Sequence, residues 1–256
     1  MGRRNYSVVV PKNAEKLMDL AQSILQKHYQ DGIASKLPPK LMEPLQQQLE
    51  LARTHHQRAA ELNRQKEKLN KERDLLLGLR EKQGAYTEST VLYIIASVRD
   101  ILLGQYRGNE RELGDWGFEV NSPKGLAQVI VPRNADKLIT LAKNVMRKHY
   151  NDGEASPLKA IDWNMLSTKL YEAEMKLQEA RRVNREKEKE IQARNRALGI
   201  DRGQDSKTIN TVLYIVKSVR DLLLGHFRSR EQELGDWGFE VNFNSVGEDN
   251  PDQPTE

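Results

Sequence analysis

Leu113 to Asn121 reads LGDWGFEVN, and Leu234 to Asn242 reads the same nine residues. The offset is 121 residues, and the same offset carries Val10-Pro11 onto Val131-Pro132 and Lys27-His28-Tyr29 onto Lys148-His149-Tyr150. It also carries Val91-Leu92-Tyr93-Ile94 onto Val212-Leu213-Tyr214-Ile215. A duplication that keeps its register predicts two units of one design, residues 1–122 and 123–244. Together they would form the single-chain counterpart of a twofold dimer.

Each copy reads as three helices, short, long and medium, with an extended segment at either end. Ser7-Val8-Val9-Val10 and Gln128-Val129-Ile130-Val131 are β-branched runs closed by Pro, which biases the preceding residue toward extended geometry. Asn13 and Asn134 follow as helix N-caps. In the first helix Leu17, Leu20, Ala21, Ile24 and Leu25 recur at helical spacing, from about Ala14 to Tyr29. Asp31-Gly32 and Asp152-Gly153 stop the two short helices.

The second helix is expected over about Lys40 to Leu79 and Asp162 to Leu198. Its seam runs Leu166, Leu170, Ala173, Leu177, Ala180, Asn184, Lys187, Ile191 in the second copy. The spacing alternates three and four as in a coiled coil, but the middle turns are polar. The third helix, about Glu88 to Arg107 and Thr208 to Arg228, is the most apolar. It breaks at Leu113-Gly114 and Leu234-Gly235, with Gly114 expected at positive φ. Two short helices cannot cover one long helix, so the two copies should merge into one pseudo-twofold, elongated all-α bundle. Phe118 to Asn121 should pair with Val129 to Val131, and Val8 to Val10 with Phe239 to Phe243, as small β-ribbons.

Composition agrees with long, solvent-bathed helices: 38% of residues are hydrophobic and 30% charged. With no cysteine there are no disulfides, thiol nucleophiles or thiolate-bound zinc. The longest apolar stretch, Val91 to Ala96, is far too short for a membrane span. MGRRNYSVVVPKN lacks the apolar core of a signal peptide, which points to the cytoplasm. The net charge of +4 comes from basic residues interleaved with acids, so nucleic acid is an unfavoured partner. The tail from 245 to 256 is acidic, without apolar periodicity, and is expected to be disordered.

Candidate chemistry is sparse. The nonapeptide is expected to stop a helix and plug the bundle with Trp116 and Phe118, and in the second copy with Trp237 and Phe239. Its alternative role is to present those four side chains to a partner, since Trp is favoured at binding hot spots. His28 and His149 fall in last helical turns, where a cation suits the dipole, and no metal-ligand spacing accompanies them. Arg99-Asp100 and Arg220-Asp221 should bond to the polar middle of the long helix, since no nucleophile or phosphate loop attends them. No catalytic residue, cofactor or metal follows from these patterns, and no small molecule is indicated.

The sequence therefore points to a non-enzymatic structural or protein-interaction module, a component of a larger assembly or a self-associating chain. Two alternatives are a basic nucleic-acid-associated protein, suggested by a pI near 9.1, and a small-molecule or metal-binding bundle built on His28, His149, Tyr93 and Tyr214. One test follows directly. A chain ending at Ser122 leaves an apolar stripe open and should associate as a dimer in sedimentation; a stable, cooperatively folding monomer would contradict merged copies.

Overall fold

The computed structural model describes residues 5–80, 89–121, 128–201 and 209–244. The chain is mostly helical, with two small antiparallel sheets. In chain order the elements are β1 (Asn5–Val9), α1 (Ala14–Asp31), α2 (Pro39–Leu77), α3 (Val91–Gln105), β2 (Glu119–Asn121) and β3 (Gln128–Ile130). There follow α4 (Ala135–Asp152), α5 (Trp163–Leu198), α6 (Val212–His226) and β4 (Glu240–Asn244). The predicted tail and the junction at Ser122 lie outside the described residues.

The helix starts obey local chemistry. The Asn13 side chain accepts from the backbone N–H groups of Glu15 and Lys16, at 3.0 and 3.2 Å, and Asn134 accepts from Lys137 at 3.1 Å. These bonds satisfy donors that the first helical turn leaves free. Thr90 and Thr211 cap α3 and α6 through the N–H groups of Tyr93 and Tyr214, so both helices begin later than hydrophobicity alone suggests. Helix α1 runs two residues past Tyr29, to Asp31, where Gly32 ends it by donating to the His28 carbonyl.

The chain folds as two compact units. One comprises residues 1–61 with 186–256, and the other residues 62–185. In the first, α1 and the start of α2 share a core with the end of α5, with α6 and with the Leu234–Phe239 turn; Leu17, Ile24, Leu45, Leu49, Val216, Leu223 and Trp237 are among its buried side chains. In the second, the end of α2 and α3 share a core with α4 and the start of α5; Leu77, Ile95, Leu102, Leu113, Trp116, Leu138 and Leu166 fill it. Each core thus combines the short helix of one sequence copy with the medium helix of the other. Burying this apolar area supplies the main drive for folding.

Each unit carries one sheet. In the first unit β1 pairs with β4, Val8 opposite Val241, and both side chains pack on the core. In the second β2 pairs with β3, Val120 opposite Val129. Both pairings are those expected from the strand sequences.

Candidate functional site

Glu110–Trp116 forms a 3-10 turn that Gly117 ends in the left-handed region at φ 89°. Gly117 N–H donates to the Gly114 carbonyl at 2.9 Å, and Phe118 N–H reaches back to the Leu113 carbonyl at 3.1 Å. This is the Schellman stop, which ordinarily brings together the apolar side chains on either side of the glycine. Here those are Leu113 and Phe118, both buried. The expectation of positive φ at Gly114 is therefore corrected: Gly117 reverses the chain, because the turn continues through Trp116. The same bonds recur at Leu234, Gly235, Gly238 and Phe239, with Gly238 also at φ 89°.

These glycines serve a second purpose. A Cβ on Gly117 would lie 2.9 Å from the Asn144 Cβ of α4, and one on Gly238 would lie 2.8 Å from the Ser23 Cβ of α1. No side chain fits there, and L-residues also disfavour that φ. The turn is thus pressed onto a helix of the other sequence copy. Trp116 and Trp237 are each 1% exposed, and Phe118 and Phe239 each 4%. Lys148 extends over the Trp116 ring at 5.7 Å. For any of these four rings to meet a partner, it would have to leave its core.

The histidines stand in the last helical turns, as expected, and each has a serine partner that sequence reading did not foresee. His28 Nδ1 lies 2.6 Å from Ser35 Oγ, and His149 Nδ1 lies 2.6 Å from Ser156 Oγ. Each serine oxygen also accepts a backbone N–H, from Leu37 at 3.3 Å and Leu158 at 3.4 Å. With a neutral ring, the hydroxyl donates to Nδ1 and accepts from the backbone, pinning the loop that leads into the long helix. Trp163 stacks on His149 at 4.0 Å and donates its Nε1–H to the Leu158 carbonyl. A Ser-His pair can also be read as a nucleophile with its base. Ser156, however, is 1% exposed and already bonded to backbone, so its oxygen has no approach to a substrate. The signal in the sequence was His followed seven residues later by Ser in both copies.

Other polar groups pair among themselves. Arg99 bonds its neighbour Asp100 at 2.8 Å, and Arg220 bonds Asp221 at 2.9 Å. They do not reach the long helix as expected; adjacent positions on the exposed flank bring them together first. In the first unit His55 Nδ1 meets Glu190 at 2.6 Å, Arg58 meets the same carboxylate at 3.3 Å, and Arg194 meets His56 at 3.3 Å. The polar seam of α2 and α5 is therefore cross-linked by charge there. Among the described residues no group of three or more His, Asp or Glu side chains could hold a metal ion. None of the described helices is long and apolar enough to cross a membrane. Searches for related proteins found no matching family, curated protein or solved structure.

Two measurements test these assignments. Trp116→Ala and Trp237→Ala should each cost about 3–5 kcal/mol in denaturant titrations, and unshifted unfolding curves would contradict burial of the rings. The second concerns acid. Burial holds the His149 pKa below its usual 6.5, opposed by the nearby Asp152 carboxylate. The unfolded chain then takes up the proton first, so this contribution is complete above the unfolded pKa and is lost as pH falls through the folded one. Thermal melts across that range should fall on acidification, and His149→Gln should flatten the slope; equal slopes would remove His149 as a cause.

Proposed function

We propose that this chain is a tandem duplication folded as a pseudo-twofold helical module, and that its work is non-enzymatic binding of protein, as a cytoplasmic component of a larger assembly. The observation that carries this reading is an exposed aromatic patch on the second unit. Tyr150, Tyr171 and Met175 are 62%, 64% and 48% exposed, although side chains of this kind usually lose most of their surface. Tyr150 and Tyr171 line a shallow cavity of about 370 Å³ between α4 and α5, together with Met146 and Leu170. A Lys143–Glu174 ion pair rims it. Aromatic and Met side chains ringed by charge are the composition of a protein interface.

The first sequence copy has Glu50 where the second has Tyr171, and Thr54 where it has Met175. Tyr150 has an exposed counterpart in Tyr29, so Tyr171 and Met175 are what distinguish the second copy, as specialisation after duplication would produce. The nonapeptide supports the same reading from the other side: its aromatic residues serve packing, which leaves the helix surfaces to meet partners.

The test is a comparison of baits. The full chain carrying Tyr171→Ser and Met175→Ser should melt within about 0.5 kcal/mol of the parent, as surface changes do, yet lose the proteins or second copies that the parent retains. A doubly substituted bait that retains the same set would contradict this surface.

A further inference from the structure

A second surface of the same unit has a different chemistry. Where α2 and α5 leave the apolar part of their seam, Lys66 and Asn70 from α2 face Arg181, Asn184 and Arg185 from α5 across an open cavity of about 470 Å³. Leu177 and Ala180 complete the lining. A helix seam ordinarily closes over such a space with aliphatic side chains. Here it is lined by three cations and two amides, with no carboxylate among them.

The cations lining the cavity are only loosely paired. The Lys66 side chain is 23% exposed, and its nearest acid, Glu67, lies 3.7 Å away on the adjoining position of the same helix. Arg181 reaches the Asp136 carboxylate at 3.0 Å, but both side chains are more than 60% exposed, so that bond is readily exchanged for another anion. Arg185 makes no ion pair with a described residue. Along the chain these cations alternate with acids: Arg64, Lys66, Lys68 and Lys71 stand among Glu61, Glu67 and Glu72, and Arg181, Arg182 and Arg185 lie between Glu179 and Glu186.

We propose that this cavity is a binding site for a small phosphate-bearing anion. Guanidinium groups and an ammonium supply charge-assisted hydrogen bonds to phosphoryl oxygens, and the amide N–H groups of Asn70 and Asn184 add neutral donors. Partial burial of Lys66 strengthens its interaction relative to a fully solvated lysine. The cations at 64, 68 and 71 fall on the side of α2 away from Lys66, given 100° per residue, and act only as a background field. This places a compact ligand in the cavity, in preference to a polymer lying along the helix. The site is separate from the aromatic patch, so it stands or falls independently of the proposed protein interface.

The test is calorimetric titration of the full chain with pyrophosphate, in wild type, Lys66→Gln, Arg185→Gln and the control Lys68→Gln, with folding of each confirmed by circular dichroism. The expected result is saturable one-to-one binding that weakens at least about tenfold in Lys66→Gln and Arg185→Gln and less than about twofold in the control. A measurement on wild type alone supports it: pyrophosphate should slow acetylation of Lys66 more than that of Lys68. Absence of saturable binding, equal losses in all three variants, or equal protection of both lysines would overturn the site. So would an oligonucleotide that binds through Lys66 and Arg185 more tightly than pyrophosphate with a steep salt dependence, since that would make the ligand a nucleic-acid backbone.

Discussion

Each hydrophobic core is built from both halves of the chain, and the rest of the structure follows from that constraint. The first unit needs α1 beneath α6 and Trp237, and the second needs α4 beneath α3 and Trp116. A short helix of about five turns cannot bury its apolar face on half of a long helix alone. The medium helix of the other copy supplies the missing surface, and the glycine stop of the 3-10 turn that follows it lets the backbone sit directly on the short helix, at Ser23 or Asn144. The strands then fall into place, because each leaves its glycine stop beside the strand that leads into that same short helix.

This arrangement separates the roles of the aromatic residues. Trp116, Trp237, Phe118 and Phe239 are consumed in closing cores, while Tyr150 and Tyr171 remain at the surface. It also explains why the long helices can be polar in their middle turns. Their apolar ends are covered by α1 with α6 and by α3 with α4, whereas the turns between carry His55, His56, Glu190 and Arg194 in one unit and Lys66, Asn70 and Arg181 in the other. Burying charge costs stability unless it is paired, and an open cavity spares these cations that cost.

Much of this was legible in the residues. The helix order, both N-cap asparagines and both strand pairings were readable because they depend on local patterns: 3-4 apolar spacing, Asn before a helix, Val runs before Pro. Gly117 was harder than Gly114. Both are glycines in one turn, and which takes positive φ depends on how far the 3-10 turn continues, a matter decided by the contact of Trp116 with the core. The starts of α3 and α6 were set by the threonine caps rather than by hydrophobicity. Cross-helix partners such as His55 with Glu190 depend on the register of α2 against α5, which a heptad reading of either helix alone does not contain. The basic cavity was hidden for a related reason: along the chain its cations alternate with acids, and only the helical turn brings Arg181 and Arg185 to the side facing Lys66.

The account rests on cores assembled from both sequence copies, and the β1–β4 pairing reports this in the first unit. The chain has no cysteine of its own, so Val8→Cys and Val241→Cys introduce the only thiols. The two residues oppose each other in an antiparallel pair, where Cα atoms lie about 4.5–5.5 Å apart, within disulfide reach. Mild oxidation at low protein concentration should give a monomer closed by an intramolecular disulfide. Thiols that stay free under those conditions, or that form only links between chains, would contradict it.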